Sequence, residues 1–420
     1  MDLRLQKIIE ETKMKFGLDN YILERTSIYK KRDPIGKIQY TFNMEWFPAH
    51  EEQPVDEDSN PDGTAVVEYN ISVSSFASVV FVGGISNSTI THFNEKTSQE
   101  VGKWIESETG LIYGVDFKLS GSNENEYTYE SDIDGIKLTP SGVMNVEFDT
   151  NGKLINFNIH GTIPSQEEII ESIFTLTLEN IEPLVKKQLQ LVKIPSESKK
   201  CFVPVYAMEE VFISMDGSKL VPYLEHERSE IILDEIIVWE APLVRELNRQ
   251  DIFLASEITV DEAFKKISDE AKLFLSNEDI ELSTQVVRDV LRTEFPLESG
   301  KWKVATIERK ENYIEAVCRM NEEDDILFNR KFVVFIEPQT FGLLNYIDNG
   351  AMFEIFDSFE PAKTAVITHD DAYEKMLPYI TLEPTYVYDL EKEKYILYGL
   401  LDAAEGVDAL TGEIVFLQDI

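Results

Sequence analysis

The residues whose type and spacing come closest to a metal site are Asp58, Asn60 and Asp62, which are followed by a glycine. Alternating oxygen donors and then glycine are typical of the start of a calcium-binding loop. A proline stiffens the middle of this run, however, and Tyr69 stands where a bidentate glutamate would close the loop. Two interpretations therefore stay open, a calcium loop and a solvated acidic loop, and the sequence favours the acidic loop.

Other residues that could carry chemistry are scattered along the chain. The sequence lacks a G-x-x-x-x-G-K phosphate loop, a G-x-G-x-x-G turn after a strand and a G-x-S-x-G nucleophile elbow. Carboxylates are so numerous that adjacent pairs say little about a hydrolase. The sequence thus assigns no catalytic, cofactor-binding or metal-binding residue. A carboxylate-dependent hydrolase stays open as an alternative function, but no residues can be named for its active site. The five histidines share no metal-ligand spacing: His50, His92, His160, His226 and His369.

The two cysteines, Cys201 and Cys318, each lie inside an apolar stretch. Free cysteine packs as a small hydrophobe, so we expect two buried structural thiols. A disulfide would require the fold to bring the two residues together, which the sequence leaves open.

The charge balance is strongly acidic, with 39 basic and 78 acidic residues and a formal net charge of −39. Such a surface repels nucleic acid phosphates and anionic lipid, and it attracts a basic protein or a cation. We therefore expect no nucleic acid partner and, if there is a partner, a protein with a basic surface. Solubility alone is the other explanation of the charge, and the oligomeric state is left open.

The length of 420 residues exceeds one ordinary core, and a hydrophobic content of 43% suffices for globular packing. No apolar run approaches the roughly 18 residues of a spanning helix, so membrane insertion is not expected. The first 16 residues alternate charged and apolar side chains, without the continuous apolar core of a signal peptide. A cytoplasmic location is expected on this basis.

Helix starts recur along the chain. In a capping box, a hydroxyl accepts the amide three residues on, and an acidic side chain reaches back to the cap. Four such boxes each precede residues with helical apolar spacing. Two of them share a longer pattern, ITVDEAFKKI at 258–267 and ITHDDAYEKM at 367–376, which predicts a repeated unit. The four boxes are Thr97–Glu100, Ser165–Glu168, Thr259–Glu262 and Thr368–Asp371.

Strand-like runs rich in Val, Ile, Tyr and Phe follow the helices and are separated by acidic, glycine-containing turns. The last such turn is VDALTGEI. There we expect Asp408 to accept backbone amides, Gly412 to take positive φ, and Val407 and Ile414 to pack as flanking strand residues. Similar turns read FDTNGKLINF, SMDGSKLVPY and IEPQTFGLLNY. The pattern predicts helices packed on antiparallel sheets.

The ITxDEA helix start and the VDALTGEI turn resemble those of PepSY-like modules, and in particular the bacterial YcdB/YcdC repeated-domain family. The resemblance is best over residues 258–420. It implies an α+β fold of tandem units, each a helix on a small antiparallel sheet, without known catalysis. Related modules occur in propeptides of secreted metalloproteases, where they inhibit or assist folding, and on bacterial surfaces. The resemblance thus implies a protein-binding or regulatory module of protease-modulating type, and a surface or structural protein is the alternative. No leader and no protease domain are expected from this sequence.

The expected organisation has four parts. Residues 1–240 would hold about three degenerate helix-plus-sheet units, 241–257 a linker, and 258–350 and 360–420 one PepSY-like unit each. The helices that begin at Thr259 and Thr368 would be equivalent.

Overall fold

The computed structural model describes residues 2–49, 59–164, 166–222, 231–250, 252, 258–265, 275–310, 312–321, 330–356, 358–390 and 392–420. The α-helices in this part of the chain are α1 (Leu3–Lys15), α2 (Ser98–Thr109), α3 (Glu182–Gln188), α4 (Val260–Ala263), α5 (Asn277–Glu294), α6 (Gly350–Phe353) and α7 (His369–Met376).

The strands, in chain order, are β1 (Tyr21–Arg32), β2 (Ile38–Pro48), β3 (Ala65–Asn70), β4 (Ser75–Phe81), β5 (Phe117–Asn123), β6 (Glu126–Ile133), β7 (Ile136–Thr139), β8 (Val143–Phe148), β9 (Leu154–His160), β10 (Ile169–Ile170), β11 (Leu189–Ser196), β12 (Cys201–Met208), β13 (Val211–Ser214), β14 (Leu220–Pro222), β15 (Ile231–Ile237), β16 (Trp302–Arg309), β17 (Ile314–Met320), β18 (Lys331–Ile336), β19 (Leu343–Asp348), β20 (Thr381–Asp389), β21 (Lys394–Asp402), β22 (Glu405–Asp408) and β23 (Ile414–Phe416).

The predicted fold class, a tandem α+β array of helices on small antiparallel sheets, is wrong. The part of the chain that the structure describes is mostly β, with 41% strand and 21% helix. Fourteen strands join one mixed sheet in the order β1-β2-β3-β4-β9-β8-β6-β7-β20-β21-β13-β14, with β5 on β6 and β10 on β21. Parallel pairing of β7 with β20 and of β10 with β21 joins strands that are far apart in sequence. Local periodicity carries no information on such long-range pairs, and for this reason the prediction failed.

Two further sheets complete the fold. One has four strands in the order β11-β12-β22-β23, and the other has five strands in the order β15-β16-β17-β18-β19. The chain packs as two compact units, each made of three separated segments. The first holds the described residues within 1–173, 255–269 and 384–397, and the second those within 174–254, 270–383 and 398–420. Each of the expected ranges 1–240, 258–350 and 360–420 therefore contributes to both units.

Helices α1 and α2 cover the apolar face of the first unit's strands. Leu5 and Ile8 of α1 are buried, and Val101 and Ile105 of α2 are fully buried, as their helical spacing predicts. Thr97 accepts the amide of Glu100 and caps α2. The facing residues alternate along β2, where Tyr40, Phe42, Met44 and Trp46 all belong to this core.

The two ITxD starts have different outcomes. Thr259 forms the expected capping box with Glu262, but α4 has only four residues. Its Ala263 packs into the same core as α1 and α2 in the first unit. Thr368 caps the eight-residue α7, whose Ala372 and Met376 are fully buried in the second unit. The same local start thus serves two different cores, and the expected equivalence of the two helices is wrong.

The helix that covers the five-stranded sheet is α5, which begins at a capping box formed by Ser276 and Asp279. Its Val287, Val290 and Leu291 are fully buried against the sheet. No helix start was predicted at Ser276 from the sequence. In the described part of the expected linker, the Leu243 amide donates to the Arg292 carbonyl, and the Gln250 amide donates to the Leu344 carbonyl. Residues 241–250 therefore pack on α5 and β19.

The box expected at Ser165–Glu168 does not open an α-helix. Ser165 lies outside the described residues, Gln166–Glu168 is a single 3-10 turn, and Ile169–Ile170 is the short strand β10. Ile173, expected on a buried helical face, is 82% exposed. Ile169 and Ile170 instead join the large sheet, where β10 pairs with β21.

The closing turn has the expected geometry. Asp408 Oδ1 accepts the amides of Leu410 and Thr411 at 2.8 and 2.9 Å, and Gly412 has a φ of +73°. Val407 pairs directly with Ile414 across β22 and β23. The prediction for this turn is confirmed, and the Asp408 side chain caps the turn by accepting its backbone amides.

The related turns use the same device. Asp149 Oδ1 accepts the amides of Asn151 and Lys153, and Gly152 has a φ of +76°. Asp216 Oδ1 accepts the amide of Ser218, and Gly217, which lies between the two residues, has a positive φ. In IEPQTFGLLNY the left-handed residue is Phe341 and not the glycine. The recurring element is thus an acidic side chain that bonds amides of its own turn.

Replacing Gly412 by Val should lower the free energy of unfolding by about 1–3 kcal/mol, because a β-branched residue is strained at positive φ. A Cβ there would also lie 3.0 Å from Ile367 Cδ1. Asp408→Ala should cost about 1 kcal/mol through the lost cap. Urea unfolding measures both changes. Gly121→Val is the control, since Gly121 lacks positive φ and its added Cβ would come no closer than 3.8 Å to Thr128. Equal losses at Gly412 and Gly121 would contradict the strain argument.

His92 is embedded in the aromatic core of the first unit. Its ring stacks on Phe16 with a centroid distance of 6.4 Å and meets Trp104 edge-on at 6.2 Å. The Leu154 amide donates to His92 Nδ1 at 3.5 Å. Burial lowers the pKa of His92 to about 4, and a weaker contact with the Lys15 carbonyl opposes the shift. The imidazole is therefore neutral in the folded protein at neutral pH.

Because the folded-state pKa of His92 lies below the unfolded value of about 6.5, the unfolded chain binds a proton first as pH falls. The stabilisation of the folded state that comes from a neutral His92 is complete above pH ~6.5 and is lost as pH falls toward ~4. Between pH 7 and pH 5 it should cost about 2 kcal/mol of unfolding free energy. His92→Gln should remove this share of the pH dependence in urea unfolding. The exposed His160 provides the control variant, His160→Gln; an equal effect there would refute the assignment.

Candidate functional site

A cleft of about 140 Å³ lies in the first unit, at the end of the β5–β6 pair. It is formed by the residues that lead into β5, by the end of β6, by the β6–β7 turn and by the chain around Pro164 and Ile169. Its charged side chains are Asp116, Asp132, Asp134 and Lys118. Three carboxylates face one ammonium group, so the cleft attracts cations.

Two of the three carboxylates of the cleft, Asp116 and Asp132, are positioned by fixed donors. The Ile112 amide donates to Asp116 Oδ2 at 2.8 Å, and the Gly135 amide donates to Asp132 Oδ1 at 3.0 Å. Lys118 Nζ donates to the same Asp132 oxygen at 2.7 Å. Because the two amide donors belong to the chain segments that carry these carboxylates, Asp116 and Asp132 keep their places without a ligand.

The residues of the cleft were not predicted from the sequence. Asp116, Asp132 and Asp134 are three of 78 acidic residues and belong to no recognised motif. The run Asp132-x-Asp134-Gly135 is a turn signal, and it could have placed two of the carboxylates at the end of a hairpin. The loop before β5, which brings Asp116 to the same place, has no comparable signal.

The candidate calcium loop is described only in part, because Asp58 lies outside the described residues. Within the described part, the Arg25 guanidinium donates to Asn60 Oδ1 and, at 3.0 Å, to the Ser59 carbonyl. A cationic side chain thus occupies one of the expected ligand atoms, which disfavours a second cation there. Across the described residues, no group of three or more His, Cys, Asp and Glu side chains is arranged to hold a metal ion.

The described histidines have separate structural surroundings. His92 is half-buried against the aromatic core of the first unit, and His160 is exposed at the end of β9. His369 Nε2 lies 3.0 Å from the carbonyl oxygens of both Lys186 and Leu189, so it links α7 to the α3–β11 junction. His50 and His226 lie outside the described residues.

The cysteines are both free thiols. Cys318 is fully buried, as predicted, and burial raises the pKa of its thiol far above the ordinary value. A neutral thiol in this position is a poor nucleophile. Cys201 is half-buried on β12, so the expected burial holds fully for Cys318 alone.

One carboxylate of the second unit has a raised pKa through burial and through a neighbouring carboxylate. Burial, and then the charge of Asp402, raise the pKa of Glu210. Neither residue belongs to the cleft at Asp116 and Asp132, which lies in the first unit. The carboxylate pair and the concave surface therefore do not combine into one acid–base site.

Comparisons with models of protein families, with curated proteins and with solved structures find no match to this chain. In the described part of the chain, no helix has the length and apolar character needed to cross a membrane.

Calcium should leave the melting temperature unchanged at concentrations that saturate ordinary sites, because Arg25 already occupies Asn60. Differential scanning fluorimetry with and without calcium measures this, and magnesium serves as the ionic-strength control. A stabilisation by calcium that is abolished in Asp58→Ala/Asp62→Ala would show that the loop binds the ion.

Proposed function

We propose that this chain is a non-catalytic binding protein that holds a basic protein partner through its acidic surface. The observation that carries the proposal is the cleft in which Asp116, Asp132 and Asp134 outnumber Lys118. The concave shape and the turn-held carboxylates offer a basic side chain a preorganised place, which lowers the cost of binding.

The net charge of −39 supports the same proposal. A strongly acidic surface accelerates the encounter with a basic partner and suppresses acidic competitors. Lys118 is bonded to Asp132, so Asp116 and Asp134 are the carboxylates left to face an incoming cation. The partner's lysine or arginine would make charge-assisted hydrogen bonds there.

A regulatory role of protease-modulating type is the more specific form of the proposal. Its support is the resemblance of the ITxD helix starts and the VDALTGEI turn to PepSY-like modules. The helix start at Thr368 and the turn at Asp408 lie together in the second unit, where Ile367 and Gly412 are neighbours. The target would be a protein with an exposed basic segment.

An array of 12-residue peptides of graded charge tests the proposal. Peptides rich in lysine and arginine should bind preferentially, and binding should weaken steeply as salt rises from about 50 to 300 mM. Asp116→Asn/Asp132→Asn/Asp134→Asn should weaken binding of the best peptide about tenfold, as measured by fluorescence anisotropy, because three rim charges are lost. Asparagine keeps the oxygen that accepts the turn amides, so the fold should persist.

The matched control is Glu179→Gln/Glu374→Gln/Glu383→Gln, which removes the same charge from exposed positions outside the cleft. Equal weakening by both triple variants would mean that only the overall charge matters, and the cleft would not be the site. An array without preference for basic peptides would refute the proposed function itself.

A further inference from the structure

A cluster of apolar side chains on the second unit is exposed to solvent although it is held firmly in place. We define the aromatic patch as Phe202, Met352, Phe353, Ile355, Phe356 and Phe359. Met352 is 70% exposed and Ile355 is 59% exposed. Both lie on the continuous turn made by α6 and the 3-10 segment Glu354–Phe356, in which no residue is buried.

The composition of this turn is unusual for a solvated helix. Residues 350–356 read GAMFEIF, so Glu354 is the one charged side chain. A helix that is apolar on all sides normally lies in a core. Here the apolar residues Met352 and Ile355, three positions apart, project from the same side of the turn. Exposed large apolar groups that are clustered in this way mark an interaction surface more often than isolated ones do.

The phenylalanines form the floor of the patch. Phe356 lies 6.0 Å from Phe353, 5.2 Å from Phe359 and 6.2 Å from Phe202, measured between ring centroids. Phe359 is 8% exposed and anchors the cluster. Offset and edge-on contacts of this kind hold the rings rigidly, so little ordering is needed when a partner binds.

Both ends of the segment are tied to strands. The Asn349 amide donates to the Lys331 carbonyl, and the Lys331 amide donates to Asn349 Oδ1. At the other end, the Phe202 amide donates to the Glu360 carbonyl, and the Glu360 amide donates to the Lys200 carbonyl. The turn is therefore presented by β12, β18 and β19 as a preformed surface.

The charges beside the patch select the kind of partner. Glu354 and Glu360 are exposed, and neither has an ion-pair partner among the described residues. Of the nearby cations, Arg330 lies against Gly350 and pairs with Asp348. Lys200 lies over the Phe359 ring at 5.4 Å and is 3.8 Å from Glu197, and Lys363 is exposed. The net charge of −39 works against a second copy of this chain.

We infer that the aromatic patch docks an amphipathic helix of a basic partner, whose apolar stripe covers Met352, Ile355 and the phenylalanine rings while its lysines or arginines face Glu354 and Glu360. Helices that lay an apolar face on a hydrophobic surface are a common recognition mode. Methionine adapts its shape to such a stripe. The inference deepens the proposed function, on which it rests for the basic character of the partner.

The test uses the full chain and a fluorescein-labelled 16-residue peptide with leucine at helical spacing and lysine elsewhere. A second peptide carries glutamate in place of lysine. Met352→Ser/Ile355→Ser should weaken binding of the lysine peptide about tenfold, as expected for loss of central apolar anchors. Glu354→Gln/Glu360→Gln should weaken it about threefold, and the glutamate peptide should bind about tenfold more weakly than the lysine peptide.

The control is Val244→Ser/Leu297→Ser, which removes two apolar side chains that are 98% and 90% exposed outside the patch. An equal loss in this control, or equal binding of the two peptides, would overturn the inference. So would sedimentation showing a dimer that Met352→Ser/Ile355→Ser dissociates, or patch-dependent binding to neutral lipid vesicles, because the occupant would then be a second copy or a membrane.

The Asp116→Asn/Asp132→Asn/Asp134→Asn variant separates this result from the proposed function. If this triple variant binds the best array peptide as tightly as the unaltered chain does, while Met352→Ser/Ile355→Ser still weakens binding of the lysine peptide, the cleft is refuted and the patch stands. If basic peptides still bind at the cleft and Met352→Ser/Ile355→Ser leaves the affinity for the lysine peptide unaltered, the patch is refuted and the proposed function stands.

Discussion

The aromatic core beneath α1 and α2 is the interaction on which the first unit depends. Phe16 meets Phe76 edge-on at 5.0 Å, and Trp104 meets Phe157 at 4.9 Å, so each helix is joined to the sheet through rings. Tyr129 of β6 is fully buried in the same core, and its hydroxyl donates to the Ser98 carbonyl at the start of α2. This contact fixes β6, and β6 in turn places the carboxylates of the acidic cleft. The cleft is thus a consequence of how the core is packed.

The sequence predicts well those features that depend on neighbours along the chain. The buried faces of α1 and α2 follow from helical spacing, and the turn at Asp408 and Gly412 follows from side-chain capping and positive φ. Thr259 shows the limit of such reasoning, because its capping box is present but α4 packs into a core other than the expected one. A cap specifies where a helix begins and says nothing about what the helix packs against.

The features that were not predicted depend on contacts between distant residues. The parallel pairing of β7 with β20 has no local signal, and it turns an expected series of small sheets into one large mixed sheet. The cleft could not be predicted because acidic residues are abundant in this sequence, and the spacing of its three aspartates does not distinguish them from the others. The sequence GAMFEIF does not indicate that it is exposed, because apolar sequence alone does not distinguish a core helix from an exposed one.

The pairing of Leu138 with Tyr386 also sets an order of events during synthesis. Tyr386 follows Leu138 by about 250 residues, and ribosomes add roughly 5–20 residues per second. The edge of β7 that pairs with β20 therefore has no partner for roughly 12–50 s, until β20 has been synthesised. During that interval an unpaired strand edge is open to pairing with other chains. The nascent chain thus exposes a strand edge that the finished molecule covers.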